Sequence, residues 1–168
     1  MPEDMSKYLV NIKTVQSGAI RILVEALKDI LTDTNIIFDE TGVKLIATDN
    51  SQSVLIHMRL LAEKFESFHC PKKTVIGVNM NNMFKLLKTM VNNDILSIFI
   101  EKNEPNKIGF QINNIDKNSQ TIFKMNLLDI GEDEIKIPPV KFETELTFPS
   151  AEFQKLVRDM TNIGENID

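Results

Sequence analysis

The stretch Ser17-Gly18-Ala19-Ile20-Arg21-Ile22-Leu23-Val24-Glu25-Ala26-Leu27-Lys28-Asp29-Ile30-Leu31 decides how this chain is read. Ser17 is a good N-cap, and Ile20, Leu23, Val24, Leu27 and Leu31 recur at the spacing of one helix face. Near the far end, Ser150-Ala151-Glu152-Phe153 opens the same pattern again. Laying Ser150 on Ser17 puts Phe153 on Ile20, Leu156 on Leu23, Val157 on Val24, Met160 on Leu27 and Ile163 on Ile30. A strand-like stretch precedes each serine, residues 8–13 and residues 142–148. Two matching starts predict two copies of one domain.

Between them the pattern alternates. Residues 35–39 and 43–48 read as strands around a glycine-containing turn, Glu40-Thr41-Gly42. Residues 53–61, 65–70 and 74–78 read as further strands. A second helix is predicted over residues 79–90, with Met80, Met83, Phe84, Leu87 and Met90 as its apolar stripe, which core packing explains. Strands follow at 94–101, 107–113 and 120–127. Residues 129–141 fit neither helix nor central strand, because they open with acidic residues and contain Pro138-Pro139. They read as an extended connector, followed by a strand and a third helix over residues 150–163.

The three helices carry three same-face basic pairs: Arg21 with Lys28, Lys85 with Lys88, and Lys155 with Arg158. The 168-residue chain as a whole is acidic, with a formal net charge of −5. Spaced lysines usually mean a solvated helix face. Here, though, all the predicted helices carry the pattern while the strands and connector are mixed or acidic. Helices laid side by side on one sheet face merge such charges into a stripe suited to phosphates. Lysine and arginine alone give salt-sensitive contacts that do not read base sequence.

Catalytic chemistry finds no constellation. The two histidines, His57 and His69, and the one cysteine, Cys70, fall short of the four or so ligands of a zinc site. His69 and Cys70 are chain neighbours on a strand, so they point to opposite faces. There is no G-x-S-x-G elbow and no glycine-rich phosphate loop. The run Glu132-Asp133-Glu134 lacks the ligand spacing of a calcium loop. A lone cysteine, a polar start and the lack of a long apolar run predict a soluble intracellular protein, and without metal-ligand or phosphate-loop motifs no cofactor is expected.

Several separated blocks resemble the sliding clamp family called proliferating cell nuclear antigen. They are Leu23 to Asp29, Thr41-Gly42-Val43-Lys44-Leu45, Ala47-Thr48-Asp49-Asn50-Ser51, Gly77-Val78-Asn79-Met80 and Lys85-Leu86-Leu87-Lys88. Met125 to Ile130, Ile135-Lys136-Ile137-Pro138 and Pro149-Ser150-Ala151-Glu152-Phe153 through Arg158-Asp159 continue the match in order. The resemblance implies an α+β fold, with two helices packed on antiparallel sheets in each domain. It divides the chain into an N-terminal extension at 1–7, a first clamp domain at 8–128, a connecting loop at 129–141 and the start of a second domain at 142–168. It implies a non-enzymatic ring of three chains that encircles duplex DNA, is opened by a clamp loader, and tethers polymerase and repair proteins. Arg21, Lys28, Lys85, Lys88, Lys155 and Arg158 match basic sites lining the hole, whereas Ile22 stands where relatives often have a second lysine.

Family clients insert a Gln-x-x-aliphatic-x-x-aromatic-aromatic motif into a groove. Its matching wall is Thr48, Gln52, Ser53 and Leu55, with Ile135, Ile137 and Pro138 from the connector. Thr48 and Ser53 are smaller or more polar than usual, which implies an altered motif preference. Phe123 lies on the strand matching the subunit contact. A nuclear setting is expected for a cellular protein, and a viral replication compartment for a viral one. The family's second domain runs on for about a hundred more residues. The chain is therefore expected to be a fragment or half of a split clamp, unable to close a ring alone. The competing reading is a peptide-binding module without ring function, which recruits or sequesters clients.

Overall fold

A computed structural model describes residues 4–131, 135 and 141–164, and it divides into two compact units, Met1–Ile135 and Lys136–Asp168. The first unit runs β1 (Tyr8–Thr14), α1 (Ser17–Lys28), β2 (Asp33–Asp39), β3 (Gly42–Thr48), β4 (Leu55–Leu61), β5 (Ser67–His69), β6 (Thr74–Asn79), α2 (Met80–Leu87), β7 (Ile95–Glu101), β8 (Lys107–Asn114) and β9 (Ser119–Asn126). The strands form two antiparallel sheets, ordered β5-β1-β7-β8-β9 and β4-β3-β2-β6. This is the α+β architecture of the expected clamp domain.

Period-two alternation makes the sheets one-sided. On β7, Leu96, Ile98 and Ile100 are buried; on β8, Ile108, Phe110 and Ile112 are buried. They share one core with Val24 and Leu27 of α1, Met80, Met83 and Leu87 of α2, and Ile36, Phe38, Val43 and Leu45 of the second sheet. The β2–β3 turn requires its glycine. Gly42 sits at φ 142°, and a Cβ there would stand 2.0 Å from the Leu60 carbonyl oxygen.

The helix starts differ from the sequence reading in one respect. Asn79 caps α2 as a side chain should, its Oδ1 accepting from the Asn82 N–H at 2.9 Å. Ser17, by contrast, is the first residue of α1 rather than its cap. Its Oγ donates instead to the Val91 carbonyl at 3.0 Å. The hydroxyl is fully buried there and ties α1 to the segment after α2.

The second unit contains α3 (Ser150–Thr161), with Pro149 in the cap position and no side-chain cap bond. The strand expected over residues 142–148 is absent. No described strand lies alongside it to complete a ladder, and its Phe142 and Leu146 side chains are 77% and 80% exposed.

Candidate nucleic-acid interface and client groove

α1 and α2 pack against each other in the first unit. Each turns an apolar stripe to the core and leaves its basic residues on the flank or the open side. Lys85 and Lys88 are exposed; Arg21 and Lys28 are half-buried. The Lys28 ammonium lies 5.0 Å from the centre of the Phe84 ring. Phe84 is the chain neighbour of Lys85, and Lys88 follows it by one turn. Lys28 therefore reaches across to the last turn of α2, which carries Lys85 and is capped by Lys88. Its charge is tempered, because Asp29 forms an ion pair with it at 2.5 Å. Arg21 lies two turns earlier on the same side of α1, and its Nε is buried without a partner among the described residues.

Four of the six predicted basic residues thus stand on one packed helix pair. Lys155 and Arg158 stand three apart on α3 of the second unit, and both are exposed. The opposing α3 stripe is also open, with Phe153, Leu156 and Val157 between 43% and 51% exposed. Two contributors escaped the sequence reading. Phe84 was assigned to the core stripe, yet it also serves as the platform under Lys28. Asp29 is the acid beside the base in Lys28-Asp29, a signal that was visible.

The proposed client wall begins at the β3–β4 hairpin, where Thr48 pairs across to Leu55. Asp49 organises the loop. Its Oδ1 accepts from the Ser53 and Val54 N–H groups at 2.8 Å each, while its Oδ2 accepts from Ser51 Oγ and the Ser51 N–H. These donors, the Ser51 hydroxyl foremost, hold the Asp49 carboxyl below its ordinary range. Gln52 adopts a left-handed backbone at φ 58° so that the turn can close. Thr48, Gln52 and Ser53 are exposed, and Val54 and Leu55 are each 45% exposed. Asp49 went unmarked as the organiser, although Asp-Asn-Ser is a recognisable Asx-turn signal.

Of the connector members, Ile135 is half-buried in the first unit, while Ile137 and Pro138 lie outside the described residues. The connector's start is strapped to β6, the end strand of the four-stranded sheet, by an isolated antiparallel bridge, and reaches on to β2. The Leu128 N–H donates to the Gly77 carbonyl at 2.8 Å, and Asn35 Nδ2 donates to the Gly131 carbonyl at 3.1 Å. Asn35 and Gly77 face each other across β2 and β6. A Cβ on Gly77 would stand 2.4 Å from the Leu128 oxygen. Phe123 sits on β9, the end strand of its sheet, with its side chain packed against the core and its neighbour Ile122 exposed on the other face.

A pair of helices on two antiparallel sheets, with cations gathered on the helices and a strapped segment leaving the sheet, defines a DNA-clamp domain. Residues 9–134 match the family described as proliferating cell nuclear antigen, N-terminal domain. The chain belongs to that family. It is also 36% identical over 164 residues to a protein of Paramecium bursaria Chlorella virus 1 named probable DNA polymerase sliding clamp 1. That alignment spans 98% of this chain and 63% of the viral protein. The family's clamps are non-catalytic.

Proposed function

We propose that this chain serves as a DNA sliding clamp, a processivity factor that works with others of its kind as a trimeric ring around duplex DNA. The supporting observation is that Lys28 reaches Phe84, on the turn of α2 that carries Lys85 and ends at Lys88, in a chain that is acidic as a whole. Arg21, and Lys155 and Arg158 on α3, extend the same role. These side chains meet phosphates rather than base edges, so the duplex is held without regard to sequence. Retention comes from encirclement, which allows each contact to be weak. The exposed Val54 and Leu55, beside the Asp49-organised loop, offer the apolar wall for a client's Gln-x-x-aliphatic-x-x-aromatic-aromatic segment, with Ile135, Ile137 and Pro138 completing it. The open edge of β9, with Phe123 behind it, is the subunit contact. The setting is a viral replication compartment or a nucleus, and a clamp loader and polymerase are the partners.

The decisive experiment is Lys85→Glu with Lys88→Glu in a polymerase run-on assay with the full-length clamp. Shorter products from a folded double variant are expected; unchanged product length overturns the assignment. Client-peptide binding should survive the same substitutions, which separates the clamp from a module that only recruits clients.

A further inference from the structure

The outer face of the five-stranded sheet carries a groove of about 250 Å³ that the clamp role leaves unused. Strand register builds its floor. Asn11 lies opposite Phe99, and Phe99 opposite Gly109; one step along, Ser97 lies opposite Gln111, and Gln111 opposite Ile122. Gly109 lets the Phe99 ring lie flat, because a Cβ there would meet it at 2.2 Å. Tyr8 closes one end, edge-on to Phe99 with ring centres 5.9 Å apart.

Asn11 faces this groove because its neighbours Val10 and Ile12 are turned into the core. It is only 4% exposed, yet among the described residues its carboxamide has no hydrogen-bond partner. Its amide atoms still reach the groove, so their donor and acceptor are free for whatever fills it. Gln111 adds a second carboxamide two strands away. It too makes no side-chain hydrogen bond among the described residues.

We propose that this groove binds an extended, uncharged peptide segment of a partner protein. Asn11 and Gln111 each pair with one peptide group, and Phe99 with Ile122 receives an apolar side chain. A carboxamide presents one acceptor beside its donors, which complements the C=O and N–H of a backbone. Spacing agrees. Two strand separations across and two residues along put the amides about 12 Å apart, a distance an extended chain covers in three to four residues. The rim selects against nucleotides. Glu101 and Glu104 share Lys124, so that ammonium is already neutralised against a phosphate. The two carboxylates push Lys124 up to about 12, so the arrangement persists across the physiological range. None of this depends on ring formation or DNA.

The test is an NMR titration of the whole chain with acetyl-Gly-Ser-Leu-Ser-Gly-amide, and separately with adenosine. Saturable shifts of the Asn11 and Gln111 side-chain NH₂ signals by the peptide, at roughly millimolar affinity, are expected. Gln111→Ala should weaken binding at least about fivefold, the loss of one hydrogen bond, with the backbone spectrum otherwise unchanged. Asn11→Leu should abolish binding in a folded chain; should that variant fail to fold, Gln111→Ala and Ile122→Ser decide. Shifts caused by adenosine but not the peptide overturn the proposal. So does silence from both probes, which would mean that the groove holds only water.

Discussion

Thr34 is 3% exposed on β2, and its hydroxyl is buried with no partner among the described residues. Unsatisfied buried hydroxyls cost stability, whereas a methyl in the same place costs little. Thr34→Val should therefore stabilise the chain by about 1 kcal/mol in urea unfolding. A loss of stability would show that the hydroxyl is bonded. Asp39 carries the opposite lesson. Lys44 foremost, then Thr41, hold its carboxyl down to about 2 from an ordinary 3.8. A carboxyl whose folded pKa is depressed contributes fully above its unfolded value and loses that contribution as pH falls through the folded one. Wild type should lose stability between about pH 4 and pH 2 more steeply than Asp39→Asn. Matching slopes would remove the pair from the ledger. The turn residues around Asp39 were legible because they act locally. Thr34 was not, since its solitude depends on what the folded core places around it.

Elements were read well where their signal was their own periodicity. Alternation located the strands to within a residue or two, and the α2 stripe of Met80, Met83 and Leu87 is buried as expected. The failures came where a distant segment decides. Ser17 looks like a cap, but its hydroxyl spends its bond on Val91, a partner 74 residues away. Residues 142–148 alternate like a strand, but alternation without a neighbouring strand makes no ladder. The β3–β4 hairpin loop shows the local case. Four donors converge on one carboxylate there. Asp49→Ala should speed hydrogen exchange at the Ser53 and Val54 amides severalfold and weaken client-peptide binding with it. Exchange rates equal to wild type would show that Asp49 does not hold the loop.

At the scale of the molecule, membership of the clamp family was legible because separated blocks agreed in order, from Leu23 to Arg158. The basic pairs were legible as helix faces, and two of the three belong to the packed pair α1 and α2. How much charge each offers is only partly legible: Asp29 stands beside Lys28 in the sequence, whereas Phe84 meets it only in the fold. Lys85 and Lys88, both exposed, should then dominate phosphate contact. Each phosphate contact removed lowers the slope of log affinity against log salt by about 0.9, so their double reversal to glutamate should flatten it by about 2 units. A slope identical to wild type would mean that these lysines never touch the backbone.

Lys28 gives up part of its pull to Asp29 and rests the remainder on an aromatic ring. In the proposed ring, a lining cation muted in this way would grip the passing axle less than a bare one. On that proposal the neighbouring acid eases the bearing at Lys28, and neutralising it would add drag at that position.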